Sequence, residues 1–205
     1  MKLFMENYLE KRYLDISKFA EILETILISV GVFITPLIVP QILTFLFGAE
    51  SFLGVNSQFV VGAIVNTCLV IAGINAKGLK KILGIVFLPS ISALLSGCVL
   101  HISAIYTVYM IPAIWIGNFL LIFLFKRLFI ANKMNYIITS ICAILAKCAT
   151  IFLGYNILFY TNIIPQNSKI AQVLFASMGI NQVITASIGC VIAFGIVKFI
   201  YKELK

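Results

Sequence analysis

Groups that carry acid–base chemistry are scarce in this chain. It has one histidine, His101, and seven acidic residues, of which only Glu21, Glu24 and Glu50 lie outside the terminal tails. An enzyme needs an acid and a base within reach of each other, or a nucleophile beside its base. No paired carboxylates, Ser/His/Asp set, helix-borne His pair or phosphate-cradling glycine loop can be assembled here, so the chain reads as a non-enzyme that carries no cofactor or metal. Charge of any kind is thin: 11% of residues are charged and 62% are hydrophobic, which is far outside the range of soluble domains. Tryptophan occurs once, at position 115.

The cysteines and the basic residues are not what their numbers suggest. Cys68, Cys98, Cys142, Cys148 and Cys190 all lie inside apolar runs, with no C-x-x-C pair and no neighbouring histidine. That excludes zinc and iron–sulfur ligation and leaves them as small packing residues. A formal charge of +8 points to no nucleic acid, because the bases stand in short clusters between apolar runs and form no basic, aromatic-interleaved face.

What is present is length of apolar sequence. Six runs, Ile22–Phe47, Ser57–Ala76, Ile82–Leu100, Tyr106–Phe125, Asn135–Tyr160 and Gly179–Val197, are each long enough to cross a hydrocarbon core of about 30 Å. Pro36 and Pro40 break the first. Residues 1–20 alternate charged and apolar positions at helical spacing, which predicts a short amphipathic helix on the membrane surface, with a disordered tail as the alternative. The long apolar run that follows is no signal-peptide h-region, so the N-terminus is expected to be retained. The chain is thus expected to be an all-α integral membrane protein of one domain: a cytoplasmic amphipathic segment at 1–20, a six-helix transmembrane domain at 21–198 and a cytoplasmic tail at 199–205.

Orientation follows from the bases. With the N-terminus inside, the inner segments hold Lys2, Lys11, Arg12, Lys18, Lys77, Lys80, Lys81, Lys126, Arg127, Lys133, Lys198, Lys202 and Lys205, whereas the outer loops hold only Lys169. The positive-inside rule then places both termini in the cytoplasm. The longest connection, Thr161–Met178, carries Pro165 and an apolar second half, and reads either as a lid over a site or as a passive connector.

One charge falls in the middle of a span. Lys147 has about a dozen uncharged residues on either side, and an ammonium at mid-depth costs roughly 2.5 to 3.5 kcal/mol on insertion scales, so it turns to a protein interior. Glu21 and Glu24 start at the inner mouth, which leaves no acid at its depth. A neutral amine on backbone carbonyls, or snorkelling along a polar crevice, stands against a cation waiting for an electron-rich ligand group. Asn66, Trp115, Asn118, Asn181, Gln182 and Thr185 are the other polar groups in the spans, with Asn66 near mid-depth and the last three near the outer surface. Each must turn to another helix, a cavity or a ligand. Small residues at Thr25 and Ser29, at Ser92 and Ser96, and at Ala186, Gly189 and Ala193 allow close helix approach. The inner half of span one could also serve a partner subunit.

Several phrases resemble a known family. "GAIVNTCLVIAGI" (62–74), "LPSISALLSG" (88–97), "YMIPAIWIGNFLLIFLFK" (109–126), "ILAKCATIFLG" (144–154) and "INQVITASIGCVIAFGI" (180–196) look like the substrate-binding membrane subunits, or S components, of energy-coupling factor (ECF) vitamin transporters and their close relatives. The resemblance covers spans two to six. It implies a bacterial plasma-membrane protein with six helices and both ends inside, which binds a small-molecule nutrient near the outer face under closing loops. It further implies docking through span one on a transmembrane coupling protein served by two cytoplasmic ATPases. Many members carry Ala-x-x-x-Ala on the first helix, where this chain has Thr25 and Ser29. On this reading Asn66, Trp115, Asn118, Lys147 and Gln182 line the pocket, Lys147 meeting an anionic or carbonyl group and Trp115 stacking on a ring. A structural or assembly subunit of a larger membrane complex, with Lys147 paired to a partner's acid, is the alternative.

Overall fold

The computed structural model describes residues 7–13, 15–52, 56–96, 104–166 and 168–200. His101, Cys98 and residues 201–205 of the tail lie outside them. The described residues form helices and no strands: α1 (Lys18–Phe47), α2 (Ser57–Asn75), α3 (Leu79–Ser96), α4 (Ala104–Leu124), a π-helical continuation (Phe125–Ala131), α5 (Tyr136–Tyr160), α6 (Lys169–Met178) and α7 (Ile180–Ile200). Six stretches are long and apolar enough to cross a membrane, α4 counting with its π-helical end and α6 with α7. Large apolar side chains such as Phe19, Leu27, Phe45, Leu145, Val191 and Phe199 stay exposed, as they do on a surface that faces lipid. The chain is a multi-pass membrane protein.

Local chemistry sets the helix starts. Ser17 accepts from the Ala20 N–H at 3.2 Å, Asn135 from Ile137 at 2.8 Å and Ser168 from Ala171 at 3.1 Å, so each caps an amide that has no partner inside its helix. Pro36 and Pro40 do not end the first span: α1 runs through both. Proline removes a backbone donor and crowds the preceding turn, and the carbonyls freed by it need partners inside a membrane. Ser92 of α3 donates to the Phe33 carbonyl, and Thr35 donates to Gly31 at 2.6 Å. The proline turn is therefore bonded to its neighbour rather than broken.

α2 is the central helix. It packs most extensively on α7, and also on α1, α4 and α3, while α4 packs on α5. The main core joins Leu69, Val70 and Ile74 of α2 to Ile82 and Ile85 of α3, Leu121 and Ile122 of α4, and Ala186 and Ala193 of α7. A second core sits beneath α6 and its approach, where Met110, Ile151, Tyr155, Ile164, Leu174 and Met178 are buried together. The cysteines outside position 98 are free, and Cys148 and Cys190 are buried.

The N-terminal segment departs from the amphipathic surface helix expected of it. Before α1 begins, its described part is helical only over 7–9, and it is bonded across one end of the bundle. The Leu9 carbonyl accepts from Gly78 N–H at 3.1 Å, and Tyr13 N–H donates to Ile74 at 3.2 Å. Leu9 is fully buried, and Tyr13 stacks on Phe129 with ring centroids 5.9 Å apart. Arg12, its side chain 1% exposed, pairs with Glu24 at 2.9 Å, and Glu24 accepts from Asn75 at 2.5 Å.

This end also buries a second lysine besides the mid-span Lys147, one that the sequence reading counted among the cytoplasmic bases. Lys126 is fully buried, and its Nζ donates to the Lys11 carbonyl at 2.5 Å. The wider π-helical turns that follow α4 carry Phe125 and Lys126 inward together, and the N-terminal segment covers them.

Candidate functional site

Asn66 lies midway along the central helix α2, and Lys147 lies midway along α5. Lys147 is 3% exposed and Asn66 is 2% exposed. The Lys147 Nζ donates to Asn66 Oδ1, and Asn66 Nδ2 donates to the Thr185 hydroxyl of α7 at 3.3 Å. Thr185 in turn donates to the Asn181 carbonyl one turn back, at 2.8 Å. The amine therefore rests on a side-chain carboxamide, not on backbone carbonyls, and its orientation is tied through three helices. Among the described residues no carboxylate pairs with it.

The approach that makes this possible depends on glycine at two contacts. A Cβ at Gly189 of α7 would stand 2.5 Å from Asn66 Cβ, and one at Gly117 of α4 would stand 3.1 Å from the Lys147 carbonyl oxygen. Only a residue without Cβ lets α7 reach α2, and α4 reach α5, at these points. Thr67 closes the same α2–α7 contact, donating to Ala63 at 2.8 Å and lying 3.3 Å from the Gly189 carbonyl.

Above the Lys147–Asn66 pair is a cavity of about 140 Å³. Lys147, Asn66 and Asn118 line its deep part, while Gln58, Thr107 and Ser177 line it toward the end of the bundle away from the N-terminal segment. Pro36, Val61, Pro89 and Ile111 supply apolar wall. Asn118 is 3% exposed. Gln182 also lines the cavity, and its Nε2 donates to the Ser177 carbonyl at 3.1 Å, which fastens α6 to the start of α7. The long connection is thus part of the wall, since Ser177 and Met178 of α6 both face the cavity.

Four of the five residues expected to line a pocket, Asn66, Asn118, Lys147 and Gln182, come together here. Trp115 does not. Its ring packs on Phe87 of α3 with centroids 4.4 Å apart, its indole N–H is buried without a hydrogen-bond partner, and it is not among the cavity-lining residues. One residue separates Trp115 from Gly117 and two from Asn118, so it points to another side of α4. Thr25 and Ser29, read as a docking pair, are half-buried on α1, where the Thr25 hydroxyl donates to Glu21 of its own helix at 2.8 Å. Gln58, Ser90 and Thr107 are wall residues that sequence reasoning passed over. Their one signal is polarity within or beside a span.

Among the described residues, no group of three His, Cys, Asp or Glu side chains is placed to hold a metal ion. No family model, curated protein or solved structure matches this chain.

Proposed function

We propose that this chain is a substrate-binding membrane subunit that captures a small nutrient in the cavity above Lys147 and Asn66, with the basic end of the bundle in the cytoplasm. The observation that carries the proposal is a buried amine at mid-span that faces a largely apolar cavity studded with carboxamides, with no carboxylate partner among the described residues. Such a group is costly in a membrane unless it serves a ligand or a path. An S-component role in an ECF transporter follows on this reading. The cavity would load from the side of α6, and the apolar, exposed face of α1 around Ile26, Leu27, Val30 and Ile34 would meet the coupling protein that bears the ATPases. The sequence resemblance and the count of bases support it.

A role as a passive assembly subunit asks Lys147 to reach an acid on another protein's helix. Its 3% exposure and its direction into the cavity tell against that. The test is thermal unfolding of purified protein with a panel of vitamins, together with cellular uptake. At least one compound is expected to raise the unfolding temperature, and Lys147→Ala is expected to abolish its uptake. No stabilisation by any compound, with uptake unchanged in Lys147→Ala, would sink the proposal.

A further inference from the structure

The cavity wall specifies more than a generic nutrient. Among the described residues its only charged lining residue is Lys147, and no Asp or Glu belongs to it. The acids of α1 are engaged elsewhere, Glu21 with Lys81 at 2.6 Å and Glu24 with Arg12 at 2.9 Å. A cationic ligand would therefore face a like charge with nothing to offset it, whereas an anion would meet a partner. Lys147 has three N–H donors, and in the structure one acceptor, Asn66, takes one of them. A single ammonium suits a monoanion; a phosphate would call for the several donors or the guanidinium fork that such groups usually meet, and the described wall residues include no arginine.

Among the described residues the wall also has no aromatic ring, in a chain with 17 phenylalanines, 8 tyrosines and one tryptophan. Several rings on the surrounding helices pack on one another instead. Trp115 lies on Phe87, and Phe152, Tyr155 and Phe175 pack together between α5 and α6. Ring stacking is the common way to hold a flat heterocycle, and it is missing among the described lining residues. In its place stand five carboxamides, Gln58, Asn66, Asn118, Asn181 and Gln182, which donate and accept alike. A cavity of about 150 Å³ takes a six-atom ring, so a ligand that fills this one has about six to nine non-hydrogen atoms.

We infer that the cavity binds a compact, non-aromatic monocarboxylate carrying hydroxyl or amide groups, its carboxylate on Lys147 and its polar groups on the surrounding carboxamides. This rests on the reading of the chain as a nutrient-binding subunit.

The test uses the full chain purified in nanodiscs and matched pairs of probes. Lactate, glycerate and N-acetylglycine stand with further hydroxy- and amido-carboxylates of that size, each beside its own primary amide. Riboflavin, nicotinate and thiamine represent aromatic and cationic nutrients. At least one aliphatic carboxylate is expected to bind, and its amide to bind about tenfold more weakly or worse, as loss of a charge-assisted hydrogen bond implies. This comparison needs no variant. Lys147→Met should bring the two members of the pair to within about twofold, and Ile111→Trp, which fills the cavity, should abolish binding of both. An aromatic or cationic compound that binds and is lost in Ile111→Trp overturns the ligand class and leaves the binding-subunit reading standing. Equal affinity for carboxylate and amide does the same. If no compound of either kind binds, both readings fall.

Discussion

Lys147 on α5 donates to the side-chain carbonyl of Asn66 on α2, a contact between residues 81 positions apart that sets the depth of the cavity floor. Each partner is buried, so each depends on the other for hydrogen bonding. Removing Asn66 alone, as Asn66→Leu, strands the amine and is expected to destabilise the protein by about 2 kcal/mol. Lys147→Met removes the cost of burying the amine but leaves the Asn66 side-chain carbonyl without this donor, so it should cost less than Asn66→Leu, about 1 kcal/mol at most, while it eliminates anion binding. In the double variant the two effects should fall short of their sum, with a coupling of about 1 to 2 kcal/mol. Unfolding of the four proteins in one detergent measures this, and strict additivity would show that the contact carries no energy.

Gly189 is the second expected point of sensitivity. A Cβ there lies 2.5 Å from Asn66 Cβ and 2.9 Å from the Thr67 backbone nitrogen, and neither can swing away as a long side chain can. Gly189→Ala should force α7 off α2 and cost about 1 to 3 kcal/mol. A Cβ at Gly195, on the same helix, would have no atom within 4 Å, so Gly195→Ala should leave the unfolding temperature unchanged or raise it slightly. A similar loss in both variants would mean that the loss at Gly189 does not come from its close approach to α2.

The N-terminal segment should behave as part of the folded bundle. Arg12→Ala leaves Glu24 without its ion-pair partner and opens the cover over Lys126, a loss of about 1 to 3 kcal/mol. Lys77 reaches Asp15 at 3.4 Å, with Asp15 95% exposed, and such surface pairs contribute little. Lys77→Ala should thus be silent in the same unfolding assay. Equal tolerance of both substitutions would show that the segment is not held in place.

How much of this was legible in the sequence differs by feature. Run length alone placed the six spans, because about 20 apolar residues have few other uses. Depth along a span placed Asn66 and Lys147 at one level. Direction around a helix was not legible: spans apolar on all sides carry no periodic signal, so Trp115 was assigned to the cavity when it faces Phe87. Lys126 looked like an ordinary cytoplasmic base, since its burial depends on the π-helical turns and on a covering segment more than 100 residues earlier in the chain. Pro36 looked like a break because the hydroxyl that compensates for it, Ser92, comes from another helix.

Orientation is open to direct labelling. In a variant with the native cysteines replaced, Asn132→Cys lies in the exposed turn before α5, and Gln166→Cys lies in the exposed approach to α6, at opposite ends of the bundle. With both termini inside, a membrane-impermeant maleimide applied to intact cells should label position 166 and spare position 132 until the cells are opened. The reverse pattern would invert the bundle and set the Gln58 and Thr107 end of the cavity toward the cytoplasm.

Trp115 offers the final test, since it is the single tryptophan of the chain. Its ring is held between α3 and α4 against Phe87, with the indole N–H buried and unbonded, and it is not among the cavity-lining residues. Trp115→Phe keeps the ring contact and removes the unbonded donor, so it should change stability by less than about 1 kcal/mol. It should leave the affinity for any ligand of the Lys147 cavity within about threefold. A ligand in that cavity should likewise leave the tryptophan emission maximum where it was. A tenfold loss of affinity in Trp115→Phe, or a clear spectral shift on binding, would return the indole to the ligand and reopen the case for a stacked ring.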